Sequence, residues 1–386
     1  MRSLLLVTTA ILLAACNPSE STATNSSAAR PAPTAASGER PFQVQDIAQF
    51  EEPWAMTFIP TTGQALITEK KGRLILWNDG GLVSEVPGVP TVDYGGQGGL
   101  GDVILHPDFA NNNFIYLSWA EAGEGDTRGA AVGRGKLILM GETARIDDMQ
   151  VIWRQEPKVS GRGHYGHRLA FSPDGFLFIS NGDRQKFDPA QDRNANLGKI
   201  IRLTDAGGVP GDTPFYDQGR VTSQIWTLGH RNPLGIAFDA EGRLWEHEMG
   251  PAGGDEFNLI ERGRNYGYPI VSNGDHYDGR EIPDHDTRPE FAEPKITWTP
   301  VVSPAGLIVY SGDMFPQWRG DALMGGLSGQ ALLRIDLDGT NAKVGDRWDM
   351  GQRIREVEQG PDGAIWLLED EDEGSGGRLL KLTPAG

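Results

Sequence analysis

The stretch Pro173-Asp174-Gly175-Phe176-Leu177-Phe178-Ile179 decides how this chain folds. Asp-Gly supplies a positive-φ turn, and the bulky run behind it is the front of a sheet-forming strand. The phrase returns as Lys71-Gly72-Arg73-Leu74-Ile75-Leu76-Trp77, as Ala240-Glu241-Gly242-Arg243-Leu244-Trp245 and as Pro361-Asp362-Gly363-Ala364-Ile365-Trp366. A second phrase, Gly198-Lys199-Ile200-Ile201-Arg202-Leu203, is echoed by Ala331-Leu332-Leu333-Arg334-Ile335-Asp336 and Gly377-Arg378-Leu379-Leu380-Lys381-Leu382. Turn-and-strand units repeating at irregular multiples of roughly 50 to 60 residues fit propeller blades that carry loop insertions. At that period, residues 41–386 make an all-β, six-bladed β-propeller. No segment carries sustained helical periodicity.

Ahead of the repeats, Met1-Arg2 gives a positive start, and an apolar run follows to Leu13-Ala14-Ala15-Cys16. This is the charge order and ending of a lipoprotein signal, residues 1–16, with Cys16 in the lipobox. Cys16 is the single cysteine, so the mature chain forms no internal disulfide. Residues 17–40, rich in Ser, Ala, Thr and Pro, read as a flexible tether. The expectation is an exported, membrane-anchored lipoprotein on the periplasmic side. Asn17 after the cysteine, in place of aspartate, favours the outer membrane.

A formal charge of -18 excludes a nucleic-acid partner, which needs a basic surface. An anionic cofactor would need local Arg or Lys against that background. Function on a propeller sits in the polar loops at one end of the blades. Four such loops stand out. Gly95-Gly96-Gln97-Gly98-Gly99 lets backbone approach a flat ligand, with the Gln97 amide at its edge. Gly163-His164-Tyr165-Gly166-His167-Arg168 precedes a strand that exits at Asn181-Gly182-Asp183. If His164 and Asp183 meet, the carboxylate fixes the imidazole tautomer and raises its basicity, whereas His167 reads as a rim residue and Arg168 stays open between rim and site. Arg231-Asn232 makes a donor fork beside an amide. Glu248 to Glu256, with Gly250-Pro251 inside it and Tyr266 following, offers carbonyls and carboxylates suited to calcium but not to zinc. Near the C-terminus, Arg353 and Arg355 alternate on one side of an extended strand.

In this order and spacing the segments resemble the soluble PQQ-dependent glucose dehydrogenase and aldose sugar dehydrogenase family, from Pro53-Trp54 to Trp366. His164 and Asp183 keep the family's separation of nineteen residues, as does Arg231-Asn232 ahead of Gly250-Pro251. The resemblance implies PQQ lying flat over the channel mouth, with Arg353 and Arg355 on its carboxylates and Gln97, His164, Arg231 and Asn232 at its other edges. It implies one calcium at the carbonyls of Gly250 and Pro251, and a second at Glu256 and the Tyr266 carbonyl. In the implied chemistry His164 takes the anomeric hydroxyl proton of an aldose, Asp183 orients it, and Arg231 stabilises developing charge. The sugar leaves as a lactone, and the electrons pass to an external acceptor.

Two positions depart from the family. Ser328 stands where glucose dehydrogenases carry a lysine on PQQ, and Gly163 replaces an acidic residue some members place before the histidine. Both favour the broader aldose branch over a glucose specialist. Two other readings stay open on sequence: a calcium-dependent propeller lactonase using Asp255-Glu256, and a non-catalytic PQQ- or ligand-binding propeller.

Overall fold

A strand covered on both faces reads apolar at nearly every position, and the second strand of the repeat does so. Ala65–Glu69, Leu177–Asn181 and Ile365–Glu369 are buried throughout. The computed structural model describes residues 40–386 apart from 61, 82 and 372–375. It places these strands second from the centre in six four-stranded antiparallel sheets. The innermost strands, Pro53–Phe58, Leu100–Leu105, Gly166–Phe171, Pro233–Phe238, Pro304–Val309 and Ile354–Gln359, touch one another in a closed ring. The chain is therefore a six-bladed propeller. The turn glycines 72, 175, 242 and 363 all have positive φ, between 79° and 107°, as their turns require.

Six apolar clusters fill the gaps between blades, one per gap. Trp77, Trp119 and Trp245, all but fully buried, sit in three of them. Each blade thus buries both faces against its neighbours, and the core is a ring rather than a centre. Closure uses both ends of the domain. Phe42–Gln49 forms the outer strand of the last blade, antiparallel to Arg378–Pro384, with Phe42 opposite Pro384. That pairing was not legible locally, because the strand is mostly exposed and its partner lies at the far end of the chain. Among the described residues the α-helix is confined to the single turn Phe109–Asn112. Cys16 and nearly all of the expected tether lie outside the described residues.

In a four-stranded antiparallel blade, the entrance to the first strand and the link from second to third strand lie at the same end. The four candidate loops and the Arg353 segment belong to these two classes, which gathers them at one mouth. Tyr266 lies instead in the long link from the third to the fourth strand of the fourth blade, which comes back to donate the Tyr266 N–H to the Leu228 carbonyl at 2.8 Å.

Candidate active site

Register explains why His164 and Asp183 meet. Gly166 and Asn181 are paired across the first hairpin of the third blade, so residues two before the one and two after the other leave the sheet side by side. His164 Nδ1 lies 2.7 Å from Asp183 Oδ1. Asp183 is fully buried and also accepts the backbone N–H groups of Gln185 at 2.9 Å and Phe187 at 3.0 Å. A carboxylate so used is an acceptor only. We therefore assign the imidazole proton to Nδ1, which leaves the Nε2 lone pair free. Burial pushes the His164 pKa below its ordinary value, the Asp183 hydrogen bond opposes this, and the Arg231 charge adds to it. The residue has a positive φ of 49°, held by its N–H donating to Gln97 Oε1 at 2.6 Å. Gly182 is required here, since a Cβ would stand 2.2 Å from the His164 carbonyl oxygen.

Arg231 and Asn232 enter the fourth blade, where Pro233 pairs with Glu248. Both backbone N–H groups donate to Glu248 Oε2, that of Asn232 at 3.2 Å. The Arg231 guanidinium donates to the Met249 carbonyl at 2.9 Å and to the Tyr277 hydroxyl at 3.2 Å, while its Nε is buried without a partner among the described residues. His164 and Arg231 share a cleft of about 240 Å³ with Phe187, Pro251, Tyr268 and Tyr277. The sequence reading missed these three aromatics. Phe187 and Tyr277 are exposed large side chains in loops, and nothing in their local pattern marks them.

A second cavity, about 220 Å³, is lined by Gln97, Asn232, Arg353 and Arg355. The two guanidiniums converge on Asp370 Oδ2, each with a contact at 3.0 Å. Burial would raise the Asp370 pKa, but Arg355 and Arg353 hold it below the ordinary value. Among the described residues, Arg355 Nε and Asn232 Oδ1 are buried and unpartnered. With Gly96 and Gly166 in the wall, the cavity suits a flat, polyanionic ligand with polar edges. Of the residues the resemblance implies for PQQ, Gln97, Asn232, Arg353 and Arg355 line it and fit such a group, while His164 and Arg231 line the other cleft. His167 corrects the reading that placed it on the rim, and Arg168 is buried beside it. His167 is buried, stacks on Trp54 at 5.0 Å, and is pushed down to about 3 by burial, so it is neutral. Arg168 packs over the same indole at 3.9 Å and pairs with Glu356 at 2.5 Å. Both side chains point inward because a bulge between Gly166 and Leu169 shifts the register.

The expected metal ligands are partly assembled. Pro251 lines the His164 cleft, and its carbonyl accepts the Gly253 N–H at 3.1 Å. Glu256 pairs across the sheet with Glu248, beside the buried Glu246 and Asn258. Burial, and then the neighbouring Glu248, raise the pKa values of Glu246 and Glu256. Among the described residues no Lys or Arg forms an ion pair with these three carboxylates, and Glu246 Oε1 has no partner. Glu248, Gly250 and Glu256 border a void of about 10 Å³. This donor set fits a hard divalent cation. Tyr266 joins it through His285, whose Nε2 donates to the Tyr266 carbonyl at 3.0 Å and whose Nδ1 lies 3.9 Å from Glu256. Asp255 is different. It accepts the N–H groups of Gly250, Val302 and Ser303, so it clamps backbone rather than offering the open carboxylate a lactonase would need.

Residues 50–381 match the model of the Glucose / Sorbosone dehydrogenase family. The chain is 39% identical over 344 residues to the aldose sugar dehydrogenase YliI of Escherichia coli, covering 87% of this chain and 91% of that protein. It is 30% identical over 249 residues to quinoprotein glucose dehydrogenase B of Acinetobacter calcoaceticus, covering 58% of this chain and 52% of that one. Among solved structures, the apo-form of the Escherichia coli soluble aldose sugar dehydrogenase superposes with a TM-score of 0.83 at 38% identity, covering 89% of this chain and 100% of that one. The PQQ-bound aldose sugar dehydrogenase of Streptomyces coelicolor gives 0.72 at 27% identity, covering 91% and 99%.

Proposed function

The chain belongs to the glucose/sorbosone dehydrogenase family, and on that premise we propose that it is a PQQ-dependent aldose sugar dehydrogenase. It oxidises an aldose at its anomeric carbon to the lactone and hands the electrons to an external acceptor. The observation that carries this reading is the 2.7 Å contact of His164 Nδ1 with Asp183, which leaves Nε2 free in a cleft shared with Arg231.

An aldose in that cleft presents its anomeric hydroxyl to Nε2, which takes the proton as the C1–H bond breaks. Asp183 keeps Nδ1 protonated, orients the ring and stabilises the imidazolium that forms. Arg231 sits beside His164, and its unpartnered Nε is a donor for charge developing on an oxygen in the site. PQQ, when bound, supplies the two-electron oxidant that takes hydride from C1. Arg353, Arg355, Asn232 and Gln97 hold it. Gln97 has a double duty: its carbonyl oxygen fixes the His164 backbone, which leaves its NH₂ for the cofactor edge.

Calcium at the Gly250 and Pro251 carbonyls, and a second ion at Glu256 and the Tyr266 carbonyl, complete the proposal. The unpaired buried carboxylates support the second site. Lipidation of Cys16 and anchoring on the periplasmic side rest on the Leu13-Ala14-Ala15-Cys16 sequence. Purified apoprotein reconstituted with PQQ and calcium tests the reading: aldoses should be oxidised with an artificial acceptor, and no turnover with any aldose would overturn it.

A further inference from the structure

Lys70 lies in the turn after the second strand of the first blade, Ala65–Glu69, at the mouth that carries the site. It lines the 220 Å³ cavity together with Arg353 and Arg355. Its backbone is pinned to the Gln97 loop, because Leu100 N–H donates to the Lys70 carbonyl at 2.9 Å. A Cβ on Gly99 would stand 2.2 Å from that same oxygen, so the two segments are in close contact.

Charge at this cavity is unevenly met. PQQ is a tricarboxylate near neutral pH. Arg353 and Arg355 both direct donors at one oxygen of Asp370, so the three groups together bring a single net positive charge. On the fifth-blade side Ser303 lines the cavity, and its hydroxyl is engaged with that of Ser328 at 2.7 Å. Lys70 is the remaining Lys or Arg in the lining among the described residues. Its ammonium has three donors to place, yet its ion-pair contact, Glu52 Oε1, lies at 3.5 Å, longer than a good charge-assisted hydrogen bond. Glu52 in turn is shared with the Tyr94 hydroxyl at 2.7 Å and with Lys71 at 3.5 Å. A largely buried ammonium without a short acceptor among the described residues, on the wall of a cavity with two guanidiniums, is suited to a carboxylate from outside the chain.

We propose that Lys70 binds a carboxylate of PQQ and so supplies, from the first blade, the cation that Ser328 does not provide from the fifth. The proposal rests on the cofactor reading above. Glu52 tunes it by competing for the same ammonium.

Titration of PQQ into the calcium-loaded apoprotein, followed by quenching of tryptophan fluorescence, separates the two. Wild-type should bind saturably. Lys70→Met should weaken binding at least about tenfold, Lys70→Arg should stay within about threefold, and Glu52→Gln should tighten it about twofold or more. Apoprotein melting temperatures check that the variants fold. Wild-type binding with Lys70→Met within twofold of it would overturn the role of Lys70 alone. Absence of PQQ binding by wild-type would overturn the cofactor reading and this inference with it.

Discussion

Asp183 Oδ1 stands 2.7 Å from His164 Nδ1, at the bottom of a hairpin whose last pair is Gly166 and Asn181. The contact sets a pH dependence. Burial lowers the His164 pKa more than the Asp183 bond raises it, so the neutral base persists below the ordinary histidine value of about 6.5. Activity is therefore full at neutral pH and is lost only as pH falls through a midpoint below about 6.5. Asp183→Asn removes an interaction that favours the charged ring, so that midpoint moves lower still. The lost orientation should cut kcat/KM by about 10² to 10⁴. A pH profile of kcat/KM for both proteins checks the direction; an unchanged midpoint in the variant would count against it.

Arg355 lines the cavity with a buried Nε that has no partner among the described residues, and it shares Asp370 with Arg353. Arg355→Met should raise the PQQ dissociation constant about tenfold or more, the size of one charge-assisted hydrogen bond. Equilibrium binding to the apoprotein measures this directly.

Glu256 belongs to a buried trio of carboxylates without an ion-paired Lys or Arg among the described residues. Calcium should therefore raise the melting temperature. An ion at a hundred times its dissociation constant contributes about 2.7 kcal/mol. Glu256→Gln should abolish most of that increment, and scanning calorimetry with and without chelator reads both effects.

Phe42 closes the ring. Its side chain packs edge-on against Trp318 at 6.2 Å and Trp348 at 5.3 Å. Phe42→Ala should cost about 3–5 kcal/mol, the usual range for a buried phenylalanine. Denaturant unfolding measures the loss, and a change under 1 kcal/mol would mean the closing strand is not held by this residue.

Three blades were legible because each repeats a turn glycine before its second strand, as at Gly175 and Leu177–Asn181. Gly72, by contrast, precedes the third strand of the first blade, Arg73–Trp77, so the phrase there is one strand out of phase. Phe42–Gln49 was not, since its partner strand is at the other end of the chain and its own surface is mostly exposed. At the site, residue type makes His164, Asp183, Arg231 and the Arg353/Arg355 pair candidates, and the family resemblance implies their roles. What spacing could not show was contact: Glu248 gathering two backbone N–H groups, or Asp370 bridging two arginines. Those depend on loops from different strands and blades meeting at one mouth. His167 was misread for a related reason, because a two-residue bulge turned it inward against Trp54.

The central claim is that His164 is the base for PQQ-dependent aldose oxidation. It is tested most directly by the steady-state rate of PQQ- and calcium-reconstituted wild-type and His164→Gln proteins on a panel of aldoses with an artificial acceptor. The account predicts turnover by wild-type and a fall of about 10² to 10⁴ in kcat for the variant. Wild-type rates in His164→Gln would contradict it.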